Sequence, residues 1–179
     1  MRHTLIATVE NKPGVLNRVA SLFRRRNFNI EALNVGRTEN PAVSRMTITI
    51  DSDMVTADRV EANLYKLVNV MDVQDISAET GVLRELALIK VAVSVDKRQE
   101  IISLATVFGA KIADVGPDTM IVQVTASTEK VDSIVEALRP YGLQELVRTG
   151  NVAMTRGTKE GKRHTPGAGD TVSYMNGAG

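Results

Sequence analysis

The 179-residue chain runs through one order of elements twice, on either side of a break near Thr80-Gly81. Such repetition narrows the fold at once, because each copy of about 75 residues must bury its own apolar stripes. The first copy opens with a strand over residues 3–9 that ends in the loop Glu10-Asn11-Lys12-Pro13-Gly14. Val15, Leu16, Val19, Leu22 and Phe23 then follow at helical spacing. This helix closes on Arg24-Arg25-Arg26, favourable at the negative end of the macrodipole, and Asn27 suits a left-handed cap. A strand over residues 29–38, a turn at Asn40-Pro41 and a strand over residues 43–50 come next. In the last of these Met46, Ile48 and Ile50 alternate with Thr47 and Thr49, a half-buried pattern. Thr56 is placed to cap a second helix with the stripe Val60, Leu64, Leu67 and Val68, and residues 72–78 supply a closing strand.

The second copy begins with a nearly continuous apolar strand over residues 86–95, after which Asp96 and Gln99 have the spacing of a capping box. Ile101, Ile102, Leu104, Ala105 and Phe108 form the helical stripe, and Gly109 stops it. Strands over residues 110–115 and 119–125 follow, with Met120, Val122 and Val124 on one face. Val131, Ile134, Val135 and Leu138 mark a fourth helix that Pro140 and Gly142 end, before a strand over residues 143–148. The order βαββαβ, twice, predicts an α+β chain of two tandem ferredoxin-like domains, each an antiparallel sheet with two helices on one face. The other face is expected to be open, so that it and the edge strands favour pairing with another copy. The expected division is residues 1–79, 84–155 and 156–179. The last segment holds six of the thirteen glycines and almost nothing to bury, which predicts a flexible tail.

Composition excludes several functions that such scaffolds host. A formal charge of +1 is no footprint for nucleic acid or an anionic membrane, and no apolar run approaches the length of a signal core or a membrane helix. Zero cysteines remove thiolate metal sites, and His3 and His164 are the only histidines. The central strands carry Val, Met, Ile and Thr rather than base-stacking aromatics. Ser94, Ser103 and Ser133 have no histidine in the folded body except His3, and Asp51 with Asp53 reads as a solvated strand end. No catalytic constellation and no metal site emerge. Without a targeting segment, the expected location is the cytoplasm, an organelle remaining open.

One loop has chemistry to offer. Gly14 opens the first helix, so the free N–H groups and positive dipole end face outward with no Cβ in the way. Asn11 and Asn29 add amides that both donate and accept, and together these groups suit a zwitterion. Read alone, the same run is first of all a tight Pro-Gly turn capped by asparagines.

The run ENKPGVLNRVASLFRRRNFNIEALNV, followed by SRMTITI, resembles the amino-terminal ACT domain of the small regulatory subunit of acetohydroxyacid (acetolactate) synthase. The resemblance continues through LYKLVNVMDV, RELALIKV and IADVGPDTMIVQVT, covering residues 2–155. It implies a non-catalytic chain that activates a large catalytic subunit carrying thiamine diphosphate, Mg and FAD, and that confers feedback inhibition by valine. It also implies a homodimer through the ACT domain, with valine at the junction: Asn11, Gly14, Val15 and Leu16 from one chain, Asn29 and Ile30 from the other. The second copy has VDKRQE where the first has its Asn-x-Pro-Gly loop, so one type of effector site is expected. A free-standing amino-acid-sensing ACT protein, acting on transcription or another enzyme, is the alternative.

Overall fold

The computed structural model describes residues 2–51, 56–77 and 81–156. Its first unit is β1 (Arg2–Glu10), α1 (Val15–Arg25), β2 (Ile30–Arg37), β3 (Val43–Asp51), α2 (Ala57–Leu64) and β4 (Val70–Asp75). The second is β5 (Gly81–Ala92), α3 (Arg98–Phe108), β6 (Lys111–Val115), β7 (Thr119–Ala126), α4 (Thr128–Leu138) and β8 (Leu143–Arg148), followed by β9 (Val152–Thr155). The two sheets share one topology, β2-β3-β1-β4 and β6-β7-β5-β8, with every neighbouring pair antiparallel. The fold is α+β, with two βαββαβ units and antiparallel sheets.

Each unit has its own apolar core between sheet and helices. Leu5, Ala7 and Val9 of β1 meet Met46, Ile48 and Ile50 of β3 beneath Val19, Leu22 and Phe23 of α1. Ala87, Ile89 and Val91 of β5 play the same part against Ile101, Ala105, Ile134 and Leu138. The helix caps repeat as well. Asn27, at φ 55°, ends α1 in a Schellman arrangement: Phe28 N–H donates to Phe23 O at 3.0 Å and Asn27 N–H to Arg24 O at 3.1 Å. The Phe23 and Phe28 rings then meet edge to face at 5.7 Å, which fixes where β2 begins. Gly109, at φ 66°, ends α3 with the same pair of bonds, Ala110 N–H to Ala105 O and Gly109 N–H to Thr106 O.

Some expectations are corrected. Val68 is 86 % exposed, because α2 stops at Leu64 and the residues after it turn, leaving Tyr65 and Leu67 to pack on the core. Thr56 occupies the N-cap position of α2 without a side-chain capping bond. The capping box at Asp96 and Gln99 is absent: residues 95–97 make a 3-10 turn and α3 starts at Arg98. Ile102 points to solvent while Ile101 and Ala105 are buried. β5 starts at Gly81 rather than residue 86, and its first four residues pair only with β9, a strand the periodicity did not predict. The expected mobility of the tail, Asp53 of the carboxylate pair and the break at Thr80 lie outside the described residues.

The largest correction concerns the first sheet, whose second face is not open. Thr4, Ile6, Thr47 and Thr49 are all buried. Residues 149–154 lie across them, with Ala153 packed on Ile6, Ile76 and Leu83. Asn34 Nδ2 donates to Thr149 O at 2.7 Å and Asn151 O at 3.1 Å, and Arg45 donates to Ala153 O. Gly150 sits at φ +72° in this strap, and a Cβ there would stand 2.5 Å from the Ala32 Cβ. Gly150→Ala is expected to cost about 2–4 kcal/mol, combining left-handed strain with overpacking. Thermal unfolding followed by circular dichroism should show a Tm lower by roughly 4–16 °C.

Candidate functional site

The Asn11–Gly14 loop leaves β1 at the end where β2 and β3 are joined. Asn11 holds it there: its backbone N–H donates to Ala42 O at 2.7 Å and its Nδ2 to Pro41 O at 2.8 Å. The side-chain oxygen of Asn11 remains as an acceptor. Gly14 is the N-cap of α1 at φ 84°, a left-handed conformation that glycine adopts without Cβ strain. A Cβ added at Gly14 would meet nothing within 4 Å, so a side chain there has room beside the Cα. The first intrahelical bond runs from Arg18 N–H to Gly14 O, and Val15 N–H turns back to Lys12 O. The remaining N–H groups of this first turn face outward.

Charge around this helix start is consistent with an anion site. α1 has no acidic residue in its first turn, whereas α2, α3 and α4 carry Asp58, Glu100 and Glu129 in theirs. Glu10, just before the loop, is held by the Asn69 amide and the Lys12 ammonium, which keep its carboxyl below the usual carboxylate range. Arg18 in turn donates to the Asn69 side-chain oxygen. Asn69 thereby ties together the end of β1, the first turn of α1 and the turn before β4. Periodicity could not single out this residue, which lies 51 and 59 positions from its two partners.

Asn11, Gly14 and Leu16 are exposed and Val15 is buried beneath them. Asn29 is exposed and Ile30 half-buried, but they lie elsewhere. Ile30 is level with Ile50, and Ile50 with His3. Eight residues of β1 therefore separate that level from Asn11, about 27 Å at a rise of roughly 3.4 Å per residue. The six expected residues fall into two groups at opposite ends of the first sheet and are not brought together within the chain.

The corresponding helix start of the second unit differs in kind. Asp96 lies in its 3-10 turn, with the Ser94 hydroxyl keeping the carboxyl below its ordinary value, and Glu100 follows in the first turn of α3. Two carboxylates at that helix start oppose binding of a third. Among the described residues, no group of three or more His, Asp or Glu side chains is placed to hold a metal ion. No helix among them is long and apolar enough to cross a membrane.

Comparison with known proteins agrees over both units. Residues 5–72 match the family described as "AHAS small subunit-like ACT domain", and residues 84–157 match "Small subunit of acetolactate synthase". The chain is 49 % identical over 160 residues to a "probable acetolactate synthase small subunit" of Archaeoglobus fulgidus, covering 89 % of this chain and 100 % of that one. It is 40 % identical over 161 residues to the acetolactate synthase small subunit of Bacillus subtilis, covering 89 % and 94 %. The crystal structure of an acetolactate synthase small subunit from Thermotoga maritima superimposes with a TM-score of 0.80 at 39 % identity, covering 89 % and 99 %.

Proposed function

The chain belongs to the acetolactate synthase small-subunit family, and from that premise we propose how its geometry carries out regulation. It is a non-catalytic regulatory subunit in branched-chain amino-acid biosynthesis, acting through an ACT domain on the catalytic subunit of acetolactate synthase. We read the chain as two ferredoxin-like domains, 1–79 and 84–155, with a tail from 156 and a cytoplasmic location. Thiamine diphosphate, Mg and FAD belong to the catalytic subunit in this reading, and this chain takes valine as its effector.

Strand register is the observation that carries the placement of the effector. β2 is an edge strand of the first sheet. Arg37 at its far end is level with Ser44, and Ser44 with Val9, beside the Asn11–Gly14 loop. If two β2 edges pair antiparallel about a twofold axis, the start of one β2 comes level with the end of the other. Asn29 and Ile30 of one protomer then meet Asn11, Gly14, Val15 and Leu16 of its partner. A homodimer so built has two equivalent sites. In each, the effector carboxylate meets the N–H groups at the start of α1, and its ammonium meets the amide oxygens of Asn11 and Asn29. Its branched side chain lies against Leu16 and Ile30.

The test is reconstitution. Supplied with pyruvate, thiamine diphosphate and Mg, the chain alone should form no acetolactate. Added to the matching catalytic subunit, it should raise the rate and make it sensitive to valine. Turnover by the chain alone, or no stimulation at any ratio, would overturn the regulatory reading, the latter in favour of a free-standing sensor.

A further inference from the structure

Three clefts lie between the two units, and their chemistry differs. One of about 420 Å³ has Arg2 facing Glu31 and Arg148 facing Glu85, so its charges are already paired. A second of about 570 Å³ places Arg2, Arg84 and Arg156 with Glu129 at the start of α4. The third, of about 360 Å³, is a groove between the far half of β2 and the β5–β9 ribbon. Its walls carry Val82, Val152 and Met154, exposed by 40, 53 and 65 %, and the β2 backbone at Val35, whose side chain shares the helix-covered face with Met46. The charged residues lining it are Arg37, Arg45 and Arg84; Asp72 and Glu39 act on Arg45 from beyond the lining. The heads of Arg45 and Arg84 are turned to backbone carbonyls, Ala153 O and Leu83 O, and among the described residues none of the three arginines forms an ion pair.

Single exposed apolar side chains are ordinary on a protein surface, but three side by side on one ribbon mark an interaction surface. We propose that this groove docks a segment of the catalytic subunit that carries apolar side chains flanked by carboxylates. The proposal rests on the regulatory reading above. Charge complementarity selects the occupant, since a lining with three arginines and no carboxylate favours a partner that brings its own. The residues of this chain beyond 156 are a poor match: they carry Lys159, Lys162 and Arg163 against Glu160 and Asp170, so their excess charge has the groove's own sign. The position also suits a regulatory contact. Val35 and Arg37 belong to β2, whose other end carries Ile30 of the proposed effector site, so a partner seated here touches the strand that the effector touches.

Met154→Asp and Arg84→Glu, made separately, test this in the full chain titrated onto the catalytic subunit. Each is expected to raise the concentration giving half-maximal stimulation by about 30-fold or more, the loss typical of a central docking residue. Valine binding by calorimetry and the sedimentation coefficient of the chain alone should stay as in the wild type. Val107→Asp, a change at a still more exposed position on α3, should leave the titration unmoved. Wild-type titration curves for both groove variants, or an equal loss for Val107→Asp, would overturn the docking groove while leaving the regulatory function standing. A changed sedimentation coefficient in the groove variants would assign the groove to a contact between copies of this chain and overturn the proposal. Failure of the wild-type chain to stimulate at all would sink the regulatory reading and the groove with it.

Discussion

Gly14→Asp, reconstituted with the catalytic subunit, is expected to keep its stimulation and lose its valine inhibition. A side chain at Gly14 has room beside the Cα, so the new Cβ fits without a clash. Its carboxylate then lies at the start of α1, where the proposed effector carboxylate would meet it; there it caps the free N–H groups itself and repels the ligand. Loss of one charge-assisted hydrogen bond costs about 1.5–3 kcal/mol, or roughly 10- to 150-fold in affinity. Coupling between an effector and a remote active site is typically only about 1–3 kcal/mol, so a loss of that size removes feedback. The left-handed φ of 84° strains any side chain, but aspartate is among the residues that visit this region, and Gly14 is not part of the core. Valine inhibition curves of the reconstituted enzyme provide the measurement. An unchanged curve would remove the helix start from the site, and loss of stimulation as well would assign the loop to folding or docking.

The second large effect is complementation between two inactive sites. Asn29→His replaces an amide that donates and accepts, and is expected to abolish valine inhibition as Gly14→Asp does. Since Asn29 and Asn11 lie at opposite ends of one sheet, the two variants damage different halves of each site. A mixed dimer then has one site with both halves altered and one with both halves native. Random mixing of equal amounts should restore about a quarter of the sites, and with them partial inhibition. If all six residues served one site within a chain, no mixing ratio would restore any. The experiment therefore tests the twofold β2 pairing and the residue assignment together, using only inhibition curves at several mixing ratios.

Much of the fold is legible in the chain because it depends on neighbours in sequence. The stripe Val19, Leu22, Phe23 and the alternation of Met46, Ile48, Ile50 are local periodicities, and both face the first core. Asn27 and Gly109 end their helices through bonds within five residues, so the residue types alone point to the caps. Failures occur where the partner is distant. Val68 continues the helical spacing, yet α2 has already ended. Thr47 and Thr49 read as a solvent face, yet a strap more than 100 residues away covers them.

The candidate site divides along the same line. The chemistry of Asn11, Gly14 and Asn29 belongs to residue type and to the position of Gly14 at a helix start, and it can be read without coordinates. By itself the sequence determined the order of elements, the two cores, the helix ends and the chemical character of the loop, since periodicity and backbone preference act over a few residues. Tertiary structure alone decided that β9 closes over the first sheet and that Asn69 joins Glu10 to Arg18 across the Asn11–Gly14 loop. It alone decided that Asn29 and Ile30 lie at the opposite end of the first sheet from Asn11, about 27 Å along the strand direction, and that a groove lined by three arginines opens between the units. Strand register and the docking of one unit on the other bring together residues as far apart in sequence as Ile6 and Ala153, a range over which no local pattern carries information.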